Sequence, residues 1–216
     1  MSNKSAVSIS VIRRLPRYYR FLSELLNEGK TRISSRELSN LMQLTASQIR
    51  QDLNCFGGFG QQGYGYNVKD LHDEIANILG LNKARSCILI GVGNLGEAIA
   101  NHIDFEKRGF KLIGAFEVNP ELIGTKIKNV TIMDSKEIEA FCKEHHPKIA
   151  VLCIPKAVAQ ELTGKLVELG VKGFWNFSHY DLTLDHKDIV VENVHLSDSL
   201  MTLCYRCLLY TSDAAD

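Results

Sequence analysis

No apolar run in these 216 residues approaches the roughly 20 needed to span a bilayer, and the N-terminus lacks the basic start and apolar stretch of a secretory signal. Both absences predict a chain that stays in the cytoplasm, away from any membrane. Metal-ligand spacing is missing too. The six cysteines lie mostly among apolar residues, Cys204-x-x-Cys207 is the one close pair, and nothing else supplies matching ligands, so no metal is expected. The chain also lacks a His/Asp or Lys/Tyr pair at catalytic spacing, and no catalytic residue is assigned. Net charge is zero, with 25 Lys/Arg against 25 Asp/Glu. Composition is otherwise that of an ordinary folded protein, 45% hydrophobic and 23% charged.

The neutral total hides an asymmetry. Residues 1–66 hold nine basic side chains (Lys4, Arg13, Arg14, Arg17, Arg20, Lys30, Arg32, Arg36, Arg50) and four acidic ones (Glu24, Glu28, Glu37, Asp52). A basic front on an acidic remainder points to a polyanionic partner for the front. A first helix is predicted over about Pro16 to Asn27, with Leu15, Tyr18, Leu22, Leu25 and Leu26 as its apolar stripe and Gly29 as its stop. Ser34-Ser35-Arg36-Glu37 then fits a capping box opening a short helix that buries Leu38, Leu41 and Met42. Thr45-Ala46-Ser47-Gln48 repeats the pattern and opens a third helix.

On that third helix Ile49, Leu53 and Phe56 face inward. At about 100° per residue, Ser47, Arg50, Gln51 and Asn54 then face outward. Arg, Gln and Asn can each make paired hydrogen bonds to base edges in a DNA major groove, and recognition helices present such residues from their first turns. Alone, such a face could equally be solvated surface. It is followed at once by Gly57, Gly58, Phe59, Gly60, Gln61, Gly63, Tyr64, Gly65 and Tyr66, an alternation that suggests a hairpin wing rather than a plain flexible loop. Arg13, Arg14, Arg17 and Arg20 on the first helix would supply sequence-independent phosphate contacts. The predicted DNA-contacting set is therefore Arg13, Arg14, Arg17, Thr45, Ser47, Gln48, Arg50, Gln51, Asn54, Phe59, Gly60, Gln61 and Tyr64. A linker helix with Leu71, Ile75, Ile78 and Leu79 as its stripe ends at Gly80.

Cys87 to Ile90 reads as a strand buried on both faces, and Gly91-Val92-Gly93-Asn94-Leu95-Gly96 follows directly. In this G-x-G-x-x-G turn the glycines allow a sharp bend, close approach of backbone to a pyrophosphate, and tight packing of helix on strand. The helix predicted from Asn94 to Arg108 aims its positive N-terminus at the phosphates. A second strand, Leu112 to Phe116, leads to Glu117, 21 residues beyond Gly96. An acid there suits the ribose hydroxyls and repels a 2′-phosphate, favouring NADH and NAD+ over their phosphorylated forms. The rhythm continues through strand 130–133, helix 135–145, strand 149–154, helix 157–169 and strand 171–177. The fold class is an α/β Rossmann-like doubly wound parallel sheet with an N-terminal winged helix-turn-helix domain. Pro155 and Asn176, near strand ends, either line the ligand crevice or are ordinary loop punctuation.

With those parts in place the chain resembles the Rex family of redox-sensing transcriptional repressors. The likeness is carried by Arg14-Leu15-Pro16-Arg17-Tyr18-Tyr19-Arg20, Ile33 to Leu38, Arg50-Gln51-Asp52-Leu53, Tyr64 to Val68, Gly91 to Gly96, Lys172 to Phe177 and Val190 to Val194. It covers about Val11 to Arg206. It implies a homodimer that holds a palindromic double-stranded operator when NADH is scarce and releases it when NADH rises, with NAD+ competing weakly. It implies domains over 1–80 (winged helix), 84–196 (NAD(H)-binding) and 197–216 (a C-terminal helix whose end reads as truncated or foreign). The family often has Tyr at the position of His102. It often has Asp at that of His195, an acid able to pair with Arg20 across the dimer. The rival readings are a small NAD-dependent dehydrogenase, disfavoured because residues 150–206 are consumed in completing the sheet, and a CoA-type nucleotide-binding module, disfavoured by Glu117.

Overall fold

The computed structural model describes residues 7–61 and 64–212. Gly63 of the wing and residues 213–216 of the tail lie outside it. The chain divides between Lys83 and Ala84 into two compact units.

Unit 1 contains α1 (Ile9–Asn27), β1 (Arg32–Ile33), α2 (Ser35–Met42), α3 (Ala46–Asn54), β2 (Gly60–Gln61), β3 (Gly65–Asn67) and α4 (Val68–Leu79). Helix α1 starts seven residues before the expected Pro16, which sits inside it. The apolar stripe explains this, because Val11 and Leu15 continue the line of Tyr18, Leu22 and Leu25 and are buried with them. Proline removes one donor from the ladder, and the buried face outweighs that loss. The Ser34–Glu37 capping box forms in both directions, Glu37 N–H donating to Ser34 Oγ at 3.1 Å and Ser34 N–H to Glu37 Oε2 at 2.8 Å. Leu38 and Met42 are buried on α2 as expected, whereas Leu41 is exposed. The hairpin exists: β2 and β3 pair antiparallel, and β1 adds to β3 to make a three-stranded sheet beside the helices. This is a winged helix-turn-helix.

One core member of unit 1 is charged. Asp52 falls three residues after Ile49 and beside Leu53, so the inward face of α3 carries it into the interior, fully buried. An ionised carboxylate there needs donors. Arg14 supplies two, Nε to Oδ2 and Nη2 to Oδ1, each at 2.7 Å. The Tyr18 hydroxyl donates to Oδ2 at 3.0 Å and Gln48 Nε2 to Oδ1 at 2.8 Å. Burial works to raise the Asp52 pKa, and the bonds from Arg14, Gln48 and Tyr18 outweigh it, holding the carboxyl below its ordinary range. The same burial drives the Tyr18 hydroxyl up, so it remains a donor.

Unit 2 contains β4 (Arg85–Ile90), α5 (Asn94–His102), β5 (Phe110–Glu117), β6 (Lys126–Ile127), β7 (Val130–Asp134), α6 (Ile138–His145), β8 (Ile149–Leu152), α7 (Lys156–Glu168), β9 (Gly173–Asn176), β10 (Val190–Asn193) and α8 (Leu196–Ser212). Strand order is β10-β9-β8-β4-β5-β7-β6, parallel except at the β6–β7 edge. The chain winds outward from β4 to β7, returns to β8 on the other side and winds outward again. That is the doubly wound sheet the sequence predicts. Helix α5 is shorter than expected, ending where Ile103 turns extended; Glu106–Arg108 form a separate 3-10 turn. Strand β10 and the antiparallel edge β6 carry no clear periodicity and were not anticipated.

Asp52→Ala should destabilise unit 1 by about 2–3 kcal/mol, below the ~3–5 of a fully buried pair because Arg14 can turn to water. A depressed folded-state pKa means the contribution is complete above the unfolded value and fades as pH falls through the folded one. The gap between wild type and variant, followed by tyrosine circular dichroism during urea unfolding, should therefore shrink below pH about 4.

Candidate nucleotide crevice and nucleic-acid face

The glycine turn joins the carboxyl end of β4 to the start of α5, in the middle of the sheet. Gly91 has φ +89, and its N–H donates to Phe116 O at 2.9 Å. A Cβ at Gly91 would stand 2.4 Å from Cys153 O, and one at Gly96 would stand 1.9 Å from Gly91 O. Both obstacles are backbone. Gly93 differs: nothing lies within 4 Å of where its Cβ would be, so this residue borders open space at the N-terminus of α5. Val92 is buried, Asn94 and Leu95 are exposed, and Gly93 serves as an N-cap with no side chain to satisfy the helix's first donors. Free N–H groups and the positive helix end there form an anion cradle.

Glu117 closes the side of this cradle from the end of β5. Its Oε2 accepts from Val92 N–H at 2.7 Å, and its Oε1 accepts from Val118 and Asn119 N–H at 2.7 and 3.2 Å. Burial pushes its pKa up, and the donors from Val118, Val92 and Asn119 more than reverse that, so the carboxyl sits below its usual range. The charge at Glu117 is thus fixed beside the turn. Pro155 is exposed at the start of α7, two residues past the Cys153 carbonyl that walls Gly91. The turn, Glu117 and Pro155 share one edge of the sheet, at the ends of adjacent strands β5, β4 and β8.

Asn176 has hydrogen-bond partners of its own. It lies at the end of β9, but its side chain is fully consumed within the protein. Nδ2 donates to Tyr180 O and Asn193 Oδ1, both at 2.8 Å, and Oδ1 accepts from Ser178 N–H and Oγ–H at 3.1 and 2.7 Å. An amide has two donors and one carbonyl oxygen with two lone pairs, and all are filled. Asn176 thus ties β9 to β10 and to the loop after it, the second of the two readings its position at a strand end left open.

In unit 1 the exposed face of α3 carries Ser47, Arg50, Gln51 and Asn54, as expected, with Arg50 Nη1 donating to Ser35 Oγ at 3.2 Å. Thr45 caps the helix through Oγ1, which accepts from Gln48 N–H at 3.1 Å. The reverse bond of the predicted box is absent because the Gln48 amide is turned to Asp52. Arg13 is exposed, and the guanidinium of Arg17 lies 5.7 Å from the Phe21 ring centre. Arg14 makes a bidentate bond to Asp52 and so braces α1 against α3. Tyr64 is exposed and is steadied by Arg32, which lies 5.9 Å from its ring centre and bonds its carbonyl at 3.1 Å. Phe59 packs against the unit 1 core, and the backbones of Gly60 and Gln61 form β2. His72 stacks on Tyr19, and its Nε2 hydrogen-bonds Ser23 Oγ. His195 lies just before α8 with its Nδ1 buried and unpartnered among the described residues, its ring parallel to that of His179 at 5.6 Å.

A family profile described as "Putative DNA-binding protein N-terminus" matches residues 6–54, and one described as "CoA binding domain" matches 82–180. The redox-sensing transcriptional repressor Rex of Caldanaerobacter subterraneus subsp. tengcongensis is 57% identical over 206 residues, 95% of this chain and 92% of that protein. This chain belongs to the Rex family. A crystal structure of RSP in complex with β-NAD+ and operator DNA superposes with a TM-score of 0.87 at 53% identity, covering 98% of this chain and 99% of RSP. RSP in complex with β-NADH gives 0.88 at 51%, with the same coverage. The Rex-family assignment places the chain among regulators rather than enzymes, and the sequence similarity extends through both units.

Backbone clashes cannot be relieved by a rotamer. Gly96→Ala should therefore lower the stability of unit 2 by about 1–3 kcal/mol or more, while Gly93→Ala, into open space and with an ordinary φ, should leave it nearly unchanged. Fluorescence of Trp175, the single tryptophan and a member of β9, reads unit 2 directly during urea unfolding.

Proposed function

We propose that this chain is an NADH-responsive repressor: as a homodimer in the cytoplasm it holds a palindromic operator through unit 1, and NADH at the Gly91–Gly96 turn releases it. The observation that carries this reading is the fixed Glu117 carboxylate bonded to Val92 N–H beside the open Gly93 backbone. A negative charge there accepts ribose hydroxyls and rejects a 2′-phosphate. Gly91, Val92, Gly93, Asn94, Leu95 and Gly96 cradle the pyrophosphate, with Pro155 on the opposite wall. NAD+ enters the same site and competes weakly.

The redox signal is read from the dinucleotide rather than from the three thiols inside unit 2's sheet. Burial pushes Cys87 and Cys153 up to about 12 and Cys142 to about 11, so these groups stay protonated and unreactive at neutral pH. On the DNA side, Ser47, Arg50, Gln51 and Asn54 face base edges, with Thr45 and Gln48 in the same first turn. Arg13, Arg17 and the hairpin around Phe59, Gly60, Gln61 and Tyr64 meet the backbone. Release requires NADH to bind the DNA-incompetent arrangement more tightly. Moving 99:1 to 1:99 takes about 10⁴-fold differential affinity, roughly 5.5 kcal/mol.

Helix α8 supports the dimer. Leu196, Leu200, Met201, Leu203 and Tyr205 span about half its circumference, and each is at least 54% exposed. An apolar face of that width on one helix calls for a partner surface. The partner is a second copy of this chain, which matches the symmetry of a palindrome.

Titration of a labelled palindromic duplex should show binding that weakens with salt and is reversed by NADH. Reversal by NAD+ alone, or no binding by a dimeric sample, overturns the reading. Gly93→Ala should weaken NADH binding by about tenfold or more while preserving DNA binding without NADH, and Glu117→Gln should narrow the preference for NADH over NADPH. Sedimentation velocity should give a dimer for wild type and a monomer for Leu200→Glu/Tyr205→Glu; a dimeric double variant removes α8 from the interface.

A further inference from the structure

We propose that buried Asp52 is a positioning residue for base recognition: by taking one amide N–H of Gln48 it presents the remaining N–H and the carbonyl oxygen of Gln48 as a donor–acceptor pair fitted to adenine. The inference rests on the reading of unit 1 as an operator-binding module.

Gln48 is the third residue of α3, where a glutamine would ordinarily fold back to cap the helix start. It does not. Its Nε2 donates down the helix to Asp52 Oδ1 at 2.8 Å, one turn on. Asp52 is wholly buried and takes four donors, two from Arg14 and one each from Tyr18 and Gln48, which fills both oxygens. An ionised carboxylate can only accept. The Gln48 amide nitrogen must therefore face it, and the flip that exchanges nitrogen and oxygen, otherwise free in a surface glutamine, is blocked. Gln48 is half-buried, at the margin between interior Asp52 and exposed Ser47 and Gln51, and the proposal places the outer edge of its amide at the helix surface.

That outer edge has one donor and one acceptor. Adenine presents the complement in the major groove, an acceptor at N7 and a donor at N6, whereas guanine presents two acceptors. A free glutamine can turn to compromise with guanine. One anchored on Asp52 cannot, because doing so would leave a buried carboxylate short of a donor. Arg14 and Tyr18 act one step further back by holding Asp52 still. The ion pair is then part of the reading head as well as of the core.

The test uses the full chain without NADH. A palindromic duplex is selected by wild-type protein from randomised half-sites, and every A·T pair is changed in turn, symmetrically, to G·C. Wild type should lose about tenfold or more in affinity at one A·T position per half-site that Gln48→Ala no longer distinguishes. Asp52→Asn, whose amide can offer either N–H or C=O to Gln48, should lose discrimination at that same position, with no further loss in the double variant. A purely structural Asp52 would instead weaken all duplexes equally and keep the adenine preference, which overturns the proposal, as does Gln48→Ala with unchanged preference. Should Asp52→Asn fail to fold by circular dichroism, side-chain amide NMR of wild type decides. One Gln48 Nε2 proton protected from exchange supports the proposal, and two equivalent, unprotected protons refute it. If wild type selects no duplex, the operator-binding reading falls along with the proposal. If it selects one and Asp52→Asn keeps adenine preference, only the proposal falls.

Discussion

Backbone pressed on backbone at the centre of the sheet is the constraint from which the nucleotide crevice follows. Gly96 lies so close to Gly91 O, and Gly91 to Cys153 O, that a single methyl at either place would overlap a carbonyl. Because those side chains are missing, α5 can begin immediately beyond β4 and drop onto the sheet. Its first N–H groups then emerge at the carboxyl edge, where β8 and β5 bring up Pro155 and Glu117. The carboxylate of Glu117 in turn bonds the turn at Val92, so acid and cradle hold each other in place. Gly93 alone has room for a Cβ, and it is where a ligand would come closest. Two glycines serve the fold and one serves the site.

Unit 1 meets the opposite problem, a charge where the packing needs interior. Desolvating a carboxylate costs several kcal/mol, and an apolar residue of similar size would commonly be as stable or more so. The carboxylate nevertheless stands at the junction of α1 and α3, where its four donors come from both helices. A leucine there would fill space without specifying the angle between the helices or the direction of any polar side chain. Four directional bonds specify both. In a module whose output is the placement of a few side chains against a groove, orientation outweighs the stability forgone.

How far the sequence exposed all this depends on whether a feature was local. The glycine turn, the double-buried strand before it and Glu117 are read from residues within one βαβ unit, and the structure places them on one edge. Capping at Ser34 and Glu37 is likewise local and forms in both directions. Asp52 was legible in principle: three residues after Ile49 and next to Leu53, it had to face inward, and Arg14 and Tyr18 stand one turn apart on α1. In the sequence it entered only the charge count, because nothing local points to its partners on α1, which lie 34 and 38 residues away. Asn176 shows the same limit in reverse. Its position at a strand end suggested a ligand, while the groups that saturate it, in Ser178, Tyr180 and Asn193, are brought together only by the loop after β9 and the pairing of β10.

The two devices bear on each other through symmetry. In the dimer proposed above, each unit 1 would address one half of a palindrome, with half-sites one helical turn of about 34–36 Å, or a multiple of it, apart. A reading head braced by Asp52 would tolerate less error in that spacing, since Gln48, held on the carboxylate, could not swivel to follow a displaced groove. Stiffness therefore sharpens the switch. In the switch proposed above, NADH in unit 2 would not have to disrupt unit 1 at all; carrying two rigid heads out of register with the operator would be enough to lose contacts in both half-sites together. A looser recognition helix would absorb part of the same displacement and leave the repressor bound.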